Sequence, residues 1–558
     1  MEKIFSLKNE RNDIMKIRGI AAIALSAVLM FSGCGAKKTS DTENAEYSAD
    51  SNLNPLGELP ICKEKVTLKL LIGQNASVTD YKENSYTKKI EEYGNVDLEF
   101  EVVPSADIST KLNLMMNSGS GLPDVIISGL TPALSATYGE NGMLIPLNKY
   151  YENSSYYIKK ALKKEGKNGD KIMNYLTAPD GNIYTGFNYT PTLQNEFTNV
   201  IWIYKPWLDE LGMKVPETLE EYRAALQAFK DNDLNHNGKA DEIPLIDYSN
   251  QNAVNTIMNT LIYFEPSSDM LSVKNGKLRY AYTSDEWKKG IEYLSDLCKN
   301  DLFSSVSFSS DQAQFKSVLA NEENRVGSFV WTTPSAVPAT SPRRADFVPV
   351  FLRGKDKLIS ATYRPPYPGF YFAVTKDCKN PEAAFRIADL LCKEDLSIWS
   401  GWGQEGVDWV KPEKGEKALY DFMGYKPLIK PIMDVGTTHA AHWGINLGYR
   451  GYEVAGGIVS SDDVARVAKA EAMKTLVNYI PEETVNLIIF TNDELEEYTE
   501  IITNANNYYQ EKTTKFITGY ENIDKEWDKY VAELENNIGL GRALEIAQKA
   551  YERTNAVK

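Results

Sequence analysis

The 558-residue chain is poor in cysteine, with five in all. Apart from Cys34 they are Cys62, Cys298, Cys378 and Cys392, scattered with no CxxC spacing, which excludes a cysteine-built zinc site and a compact disulfide scaffold. They read as mostly buried thiols; spacing does not reveal whether any two pair. Motifs of hydrolytic and nucleotide chemistry are also lacking: there is no GxSxG, no P-loop and no HExxH. Basic charge is in deficit, with 61 Lys and Arg against 77 Asp and Glu, a net charge of −16. Residues 1–33 carry five basic and three acidic side chains, so the chain beyond them stands at −18. Such a body is repelled by phosphate backbones, and no basic stripe overrides this, so nucleic acid is excluded as a partner.

What is present begins at the N-terminus. Lys16 and Arg18 precede an apolar run of 12 residues, Ile20 to Phe31, short of the roughly 20 that a membrane-spanning helix needs. "SGCG", Ser32 to Gly35, follows, and the whole reads as a secretory signal over 1–33. "FSGC" resembles a bacterial lipobox, which implies cleavage behind Gly33 and a lipid (diacylglycerol, with palmitate) on Cys34; Phe31 stands where such boxes more often have Leu. Residues 34–62 are polar and small with no apolar periodicity, so they are expected to be a flexible tether.

The rest of the chain is long enough for two lobes. "VTLKLLIG" and "VDLEFEVVP" read as strands, with the helical "YTKKIEEYG" between them, and "STKLNLMMNSGSGLPDVIISG" runs from helix through a Gly-rich turn into a strand. This β-α-β-α-β succession predicts parallel strands with crossover helices, and ligands settle at the open carboxyl ends of such sheets. Further on, Thr218 and Glu221 predict a capping box for a helix whose buried face is Leu219, Tyr222, Leu226 and Phe229. Directly after it, "DLNHNGKADEIP" follows the first half of an EF-hand: Asp233, Asn235 and Asn237 at positions 1, 3 and 5, Gly238 at 6 and the Lys239 carbonyl at 7. It then departs, with Asp241 and Glu242 early and Pro244 at position 12. Two amides, three carboxylates and one carbonyl give the hard oxygens that calcium takes; a solvated polar turn is the competing reading.

The block from Trp202 to Leu245 resembles the extracellular solute-binding lipoproteins of carbohydrate ABC importers, in the Gram-positive branch related to alginate- and oligosaccharide-binding proteins. "SGSGLPDVII", "GMLIPLNKY", "DGNIYTG", "GKLRYAYTSDEWKKGIEYL" and "PEAAFRIADLL" carry the same pattern over most of residues 65–540. Pro206-Trp207 and "LNHNG" depart from it without removing a ligand oxygen. The resemblance implies an α/β, two-lobed periplasmic-binding-protein-like fold of type II, each lobe a mainly parallel sheet flanked by helices, with a hinge. Residues 63–190 with 351–415 would form the first lobe, and 191–350 with 416–558 the second. It further implies structural calcium at Asp233, Asn235, Asn237, Lys239, Asp241 and Glu242. The expected molecule is a monomeric binding subunit and not an enzyme, anchored outside the membrane by lipid alone, with a saccharide in the cleft and permease subunits as partners.

The nine Trp and 33 Tyr offer the flat apolar faces with polar edges that suit pyranose rings. Trp207, Trp287 and Trp527 fall in helical patterns and are expected in the core. Cleft candidates are Trp331 after "GSFVW", Trp402 with Glu405 in "SGWGQEG", Trp443 in "HAAHWGINLG", and Gln74 and Asn75 beyond the first strand. His439 and His442 in "HAAHW" lack the Glu and the third ligand of a zinc site. A binding protein for peptide or another solute, and a surface glycan hydrolase built on some carboxylate pair, stay open as alternatives.

Overall fold

A computed structural model describes residues 50–76, 78–432, 442–460 and 463–556. Cys34 and His439 lie outside these residues. The first lobe is built on β1 (Val66–Gly73), β2 (Val96–Val103) and β3 (Val125–Ile126), with β1 central and parallel to both neighbours. The crossover helices Ser85–Gly94 and Ile108–Ser118 cover the sheet, as the alternation predicts. Leu68, Leu70, Leu71 and Ile72 of β1 are all fully buried because both faces of a parallel strand are covered.

The second lobe holds β4 (Phe197–Tyr204), β5 (Ile243–Ile246), the hairpin β6 (Leu271–Lys274) and β7 (Lys277–Tyr280), β8 (Val326–Trp331), β9 (Phe347–Val350) and β10 (Ala361–Tyr363). Its main sheet runs β10-β4-β8-β5, with β9 also on β4. Only β5 and β8 are parallel; β4 is antiparallel to β8, β9 and β10, so this sheet is mixed where a mainly parallel one was expected. The chain then returns to the first lobe with β11 (Ala373–Val374), antiparallel to β3. A small pair, β12 (Trp409–Val410) and β13 (Lys430–Pro431), follows. Trp207, Trp287 and Trp527 lie in the second-lobe core, as their helical spacing predicts.

Two boundaries differ from the expected ones for reasons of backbone pairing. β10 belongs to the second sheet, so the return to the first lobe falls between Tyr363 and Ala373 and not at 351. After residue 416 the chain does not pass wholly to the second lobe: Leu419 and Tyr420 join the second-lobe core, Arg450 returns to the first, where its guanidinium donates to the Ser397 carbonyl at 2.9 Å, and the helix Val464–Leu476 packs on the second again. The tether is also shorter than expected. Ile61 and Cys62 donate their amides to Tyr93 and Gly94 carbonyls at 2.9 and 3.0 Å, and Arg386 donates to the Asn54 and Pro55 carbonyls at 2.5 and 3.2 Å. Residues from Asp50 onward are thereby docked on the first lobe. Cys62, Cys298, Cys378 and Cys392 are all free thiols.

Candidate functional site

Three crossing segments join the lobes. Between Gly186 and Glu196 the first runs beside the second, which lies between Arg364 and Phe372: Gly186 N–H donates to Tyr371 O (3.0 Å), Gly369 N–H to Asn188 O (2.9 Å) and Arg364 N–H to Glu196 O (2.6 Å). The third touches the first at Tyr189, which donates to Gly448 O (2.9 Å) and accepts from Arg450 N–H (3.1 Å). The second segment contains "RPPYPGFY", whose three prolines fix extended backbone and forgo the donors that a sheet interior would need. It can therefore serve as a stiff strap, with one edge open to the cavity beside it.

That cavity has a volume of about 550 Å³ and is lined from all three segments, by Asn188, Thr192, Glu196, Arg364, Tyr371 and Gly444 among others. Its size lies within the roughly 300–1,000 Å³ of small-molecule sites. Buried atoms on its wall are short of partners. Asn188 Oδ1 and Thr192 Oγ1 have none, and Glu196 Oε1 has none of standard geometry. Glu196, 4% exposed, accepts at Oε2 from the Tyr363 hydroxyl at 3.4 Å and lies beside the Tyr452 hydroxyl. Burial pushes its carboxyl up to about 7, the two hydroxyls offsetting only part of that. These oxygens are themselves enclosed behind the cavity surface, and Asn195, Arg364 and Asn446 add to the polar lining.

A larger recess of about 960 Å³ lies on first-lobe segments, lined by Tyr157, Lys160, Trp399, Tyr449, Arg450 and Glu453 among others. Its polar groups already have partners: Tyr449 donates to Glu165 at 2.7 Å, Arg450 to Ser397 O, and Lys164 pairs with Glu453. Size favours this recess, but position favours the hinge cavity, which is lined by all three segments that join the lobes.

The sequence candidates disperse. Asn75, just past β1, is at the hinge cavity: its side-chain amide donates to the Gly444 carbonyl at 3.4 Å, behind the cavity wall. Gln74 braces its own loop, donating to Asn75 O and Val78 O at 2.8 and 3.0 Å. Trp331 is half-buried at the end of β8, stacked on Phe315 at 5.7 Å with Lys316 Nζ 5.2 Å from its ring, and does not line the cavity. Trp402 ends the helix Glu394–Trp402 beside Arg466, and Glu405 lies on the larger recess, 3.5 Å from Lys411. Trp443 is a correction: it is fully buried, edge-on to Tyr86 and Phe100, so neither ring face can meet a ligand. His442 is buried next to it, and its Nδ1 accepts the Gly444 N–H at 3.0 Å. Asn188, Thr192, Glu196 and Arg364 were missed by sequence reasoning, which looked to aromatics; the Pro-rich "RPPYPG" between apolar strands was the available signal.

On the second lobe, the loop after the capped helix Leu219–Asp231 gathers its oxygens. Thr218 accepts the Glu221 N–H at 3.1 Å, but Glu221 reaches back to Glu217 N–H at 2.8 Å, one residue earlier than a capping box. Asp233 accepts from the amides of Asn237 and Gly238 at 3.1 and 2.9 Å, while Asn235 and Asn237 both donate to Asp241 Oδ1 at 3.0 and 3.1 Å. These amides, with Arg325 nearby, hold the Asp241 carboxyl below its usual range. Asn235 Oδ1 and Asn237 Oδ1 each accept the backbone N–H two residues on, from Asn237 at 3.1 Å and from Lys239 at 2.8 Å, which fixes the orientation of both amides. Together with the Asp233 and Asp241 carboxylates and the Lys239 carbonyl they are the kind of hard oxygens that calcium takes. Glu242 departs from its expected role. Both its oxygens accept backbone amides, from Leu234, Asn235 and Asp241 at 2.9, 3.3 and 3.2 Å, which makes it a staple of the loop. Among the described residues no cluster of three or more carboxylates, imidazoles or thiols suits a metal, as expected of a loop whose donors are partly amides.

Two lobes, three crossing segments and a polar cavity between them define a binding protein of the hinged, two-lobed class. The chain belongs to the bacterial extracellular solute-binding protein family, whose pattern matches residues 75–395. It is 26% identical over 562 residues, 96% of this chain and 98% of the relative, to the fructooligosaccharide ABC transporter substrate-binding protein FusA of Streptococcus pneumoniae serotype 4. It is 25% identical over 214 residues, 38% of this chain and 40% of the relative, to the polygalacturonan/rhamnogalacturonan-binding protein YtcQ of Bacillus subtilis. Among solved structures, an HMO-binding ABC-transporter-associated solute-binding protein of Bifidobacterium longum infantis superposes with a TM-score of 0.72 at 21% identity, covering 88% of this chain and 99% of that one. FusA in complex with kestose gives 0.71 at 22% identity, covering 88% and 100%. The two-lobed α/β fold expected from the sequence is the fold of these neighbours.

Proposed function

We propose that this chain is the substrate-binding subunit of an ABC importer and that it holds an oligosaccharide in the hinge cavity. The observation that carries the reading is the polar lining that all three crossing segments give the hinge cavity, from Asn188, Thr192, Asn195, Arg364 and Asn446 among others. Sugar hydroxyls both donate and accept, so they can satisfy such a mixed set. The family and the oligosaccharide-binding relatives support the same reading. The chain acts by binding and hinge closure and not by turnover, and it hands its ligand to permease subunits. Cys34 carries a lipid that keeps the body at the outer face of the membrane, and the loop from Asp233 to Asp241 holds a structural calcium ion.

The test is a melting-temperature panel of kestose, xylotetraose, an oligogalacturonide and a tripeptide mixture. A ligand present at 100 times its dissociation constant adds about 2.7 kcal/mol of stability and is read as a clear upward shift. A saccharide shift with no release of product is the expected result. A shift with peptides alone overturns the saccharide reading, and cleavage of any glycan overturns the binding-protein reading.

A further inference from the structure

The lobes also meet away from the crossing segments. Residues 480–491 contain no helix or strand and are fastened to the second lobe: Asn275 and Gly276 N–H donate to Glu483 at 2.6 and 3.0 Å, Ile489 N–H donates to Thr554 Oγ1 at 3.0 Å, and Arg553 donates to Ile489 O at 2.8 Å. This stretch is also bonded to the other side of the hinge. Tyr367, on the second crossing segment, donates its hydroxyl to Val485 O at 2.8 Å, and Lys171, on the first-lobe helix Lys167–Leu176, donates to Asn486 Oδ1 at 3.3 Å. At its far end Asn492 opens the helix Asn492–Ile517, fixed there by a capping box of Thr491 and Glu494, with Arg553 on Glu494 at 2.6 Å. The first-lobe helix Pro132–Glu140 reaches across to it. Thr137 donates its hydroxyl to Asn492 Oδ1 at 2.6 Å, and Asn492 Nδ2 donates to the Glu140 carboxylate. Thr137 and Glu140, three residues apart, share one helix face, so a single amide bonds both through its two ends.

When one lobe turns about the crossing segments, each point moves in proportion to its distance from them. The chain from Val485, held at the second crossing segment, to Asn492 reaches up to about 25 Å when extended. A turn of about 20° carries a point about 20 Å out by about 7 Å, past hydrogen-bond reach, while the bond at Tyr367 shifts little. The outer contact is therefore made in one hinge state and broken in another. We propose that Thr137, Glu140 and Asn492 form a latch between the lobes whose strength sets the ligand affinity without touching the ligand. The inference rests on the hinged binding-protein reading and not on which solute fills the cavity. Thr137 and Asn492 are half-buried and Glu140 is exposed, so water replaces the bonds as they part, which keeps the latch reversible. A ligand that prefers one hinge state works with the latch or against it, and loss of the latch shifts the population that the ligand meets.

Calorimetry and solution scattering of the full chain test the latch, with the panel sugar that gives the largest melting shift as probe. Thr137→Val and Asn492→Ala should each change its affinity by about three- to thirtyfold in the same direction, and the double variant should change it no further. Lys171→Ala, close to the crossing segments, should change it less. Thr137→Cys with Asn492→Cys, joined by a short bismaleimide, should hold one hinge state and abolish the sugar-dependent change in radius of gyration; the wild type treated alike controls for the native thiols. A lowered melting temperature with unchanged affinity in both breaking variants overturns the latch and leaves a purely structural contact, and additive effects in the double variant overturn it as well. The sugar-free chain gives an independent reading, since its radius of gyration should change either on locking or on breaking; a radius that responds to neither overturns the latch. If no sugar binds, the saccharide reading fails, while the sugar-free scattering still decides the latch.

Discussion

The indole N–H of Trp443 donates to Thr87 Oγ1 at 2.8 Å, and the Thr87 hydroxyl in turn donates to the Tyr81 carbonyl at 2.6 Å. The chain thereby ties the third crossing segment to the helix Ser85–Gly94 that covers the first sheet. Trp443→Ala is expected to cost about 3–5 kcal/mol, as large aromatic truncations in cores do. Trp443→Phe keeps the ring contacts and loses the hydrogen bond, so about 1–2 kcal/mol is expected. Apparent melting temperatures of both variants check this. A binding defect in Trp443→Ala at unchanged melting temperature would return the residue to the ligand site.

Gly444, next in the chain, is in the left-handed region at φ 73°, and a Cβ there would stand 2.2 Å from Asn75 Nδ2. Any side chain must displace Asn75 or open the cavity wall, in addition to the roughly 1–2 kcal/mol of left-handed strain. Gly444→Ala should therefore lower both melting temperature and saccharide affinity. Asn75→Ala in the same background removes the clash and should restore part of the stability. Failure of the second change to rescue the first would show that the Gly444 and Asn75 contact is not the cause.

The parts of the fold set by local periodicity were legible in the sequence: the parallel start through β1, β2 and β3, the helix under Tyr222, Leu226 and Phe229, and the packed Trp207, Trp287 and Trp527. What was not legible depends on pairings distant in sequence. Tyr363 in register with Phe197 moves the lobe boundary, and Arg386 on the Asn54 carbonyl fastens the end of the tether. Irregular, Gly-rich sequence points to the cleft, yet Trp443 in such a stretch is core because its indole finds a buried hydroxyl. Asn188, Thr192 and Glu196 are ordinary polar residues in the sequence until the three crossing segments meet around one cavity.

Calcium in the loop should appear as a melting temperature that falls with chelator. For a site whose dissociation constant is tenfold below ambient calcium, linkage amounts to about 1.4 kcal/mol. Asp233→Ala with Asp241→Ala should remove the chelator response. Glu242→Gln should destabilise the loop even with chelator present, because the Leu234 and Asn235 amides lose a charged acceptor. If the wild type melts identically with and without chelator, elemental analysis distinguishes an empty loop from one that holds its metal too tightly to strip.

Lys469 is fully buried, and burial lowers its ammonium from 10.5 to about 7. Below about 7 the folded state must carry a charge that only a carbonyl partners; as pH rises from 7 to 10.5 the unfolded chain binds the extra proton, and stability climbs. Glu196 and Asp247 act with the opposite sign. Burial lifts each carboxyl to about 7, so the fold holds protons that the unfolded chain releases near 4, and their contribution is lost as pH rises through about 7. Together the three make neutral pH the least favourable point of their joint contribution. Lys469→Met should raise stability near pH 7 by about 1–3 kcal/mol, since the lost bond to the Phe197 carbonyl is smaller than the relieved burial of charge. It should also flatten the rise between pH 7.5 and 10. Melting temperatures across that range decide the matter: a wild-type profile already flat there would mean that Lys469 is not buried as a strained cation.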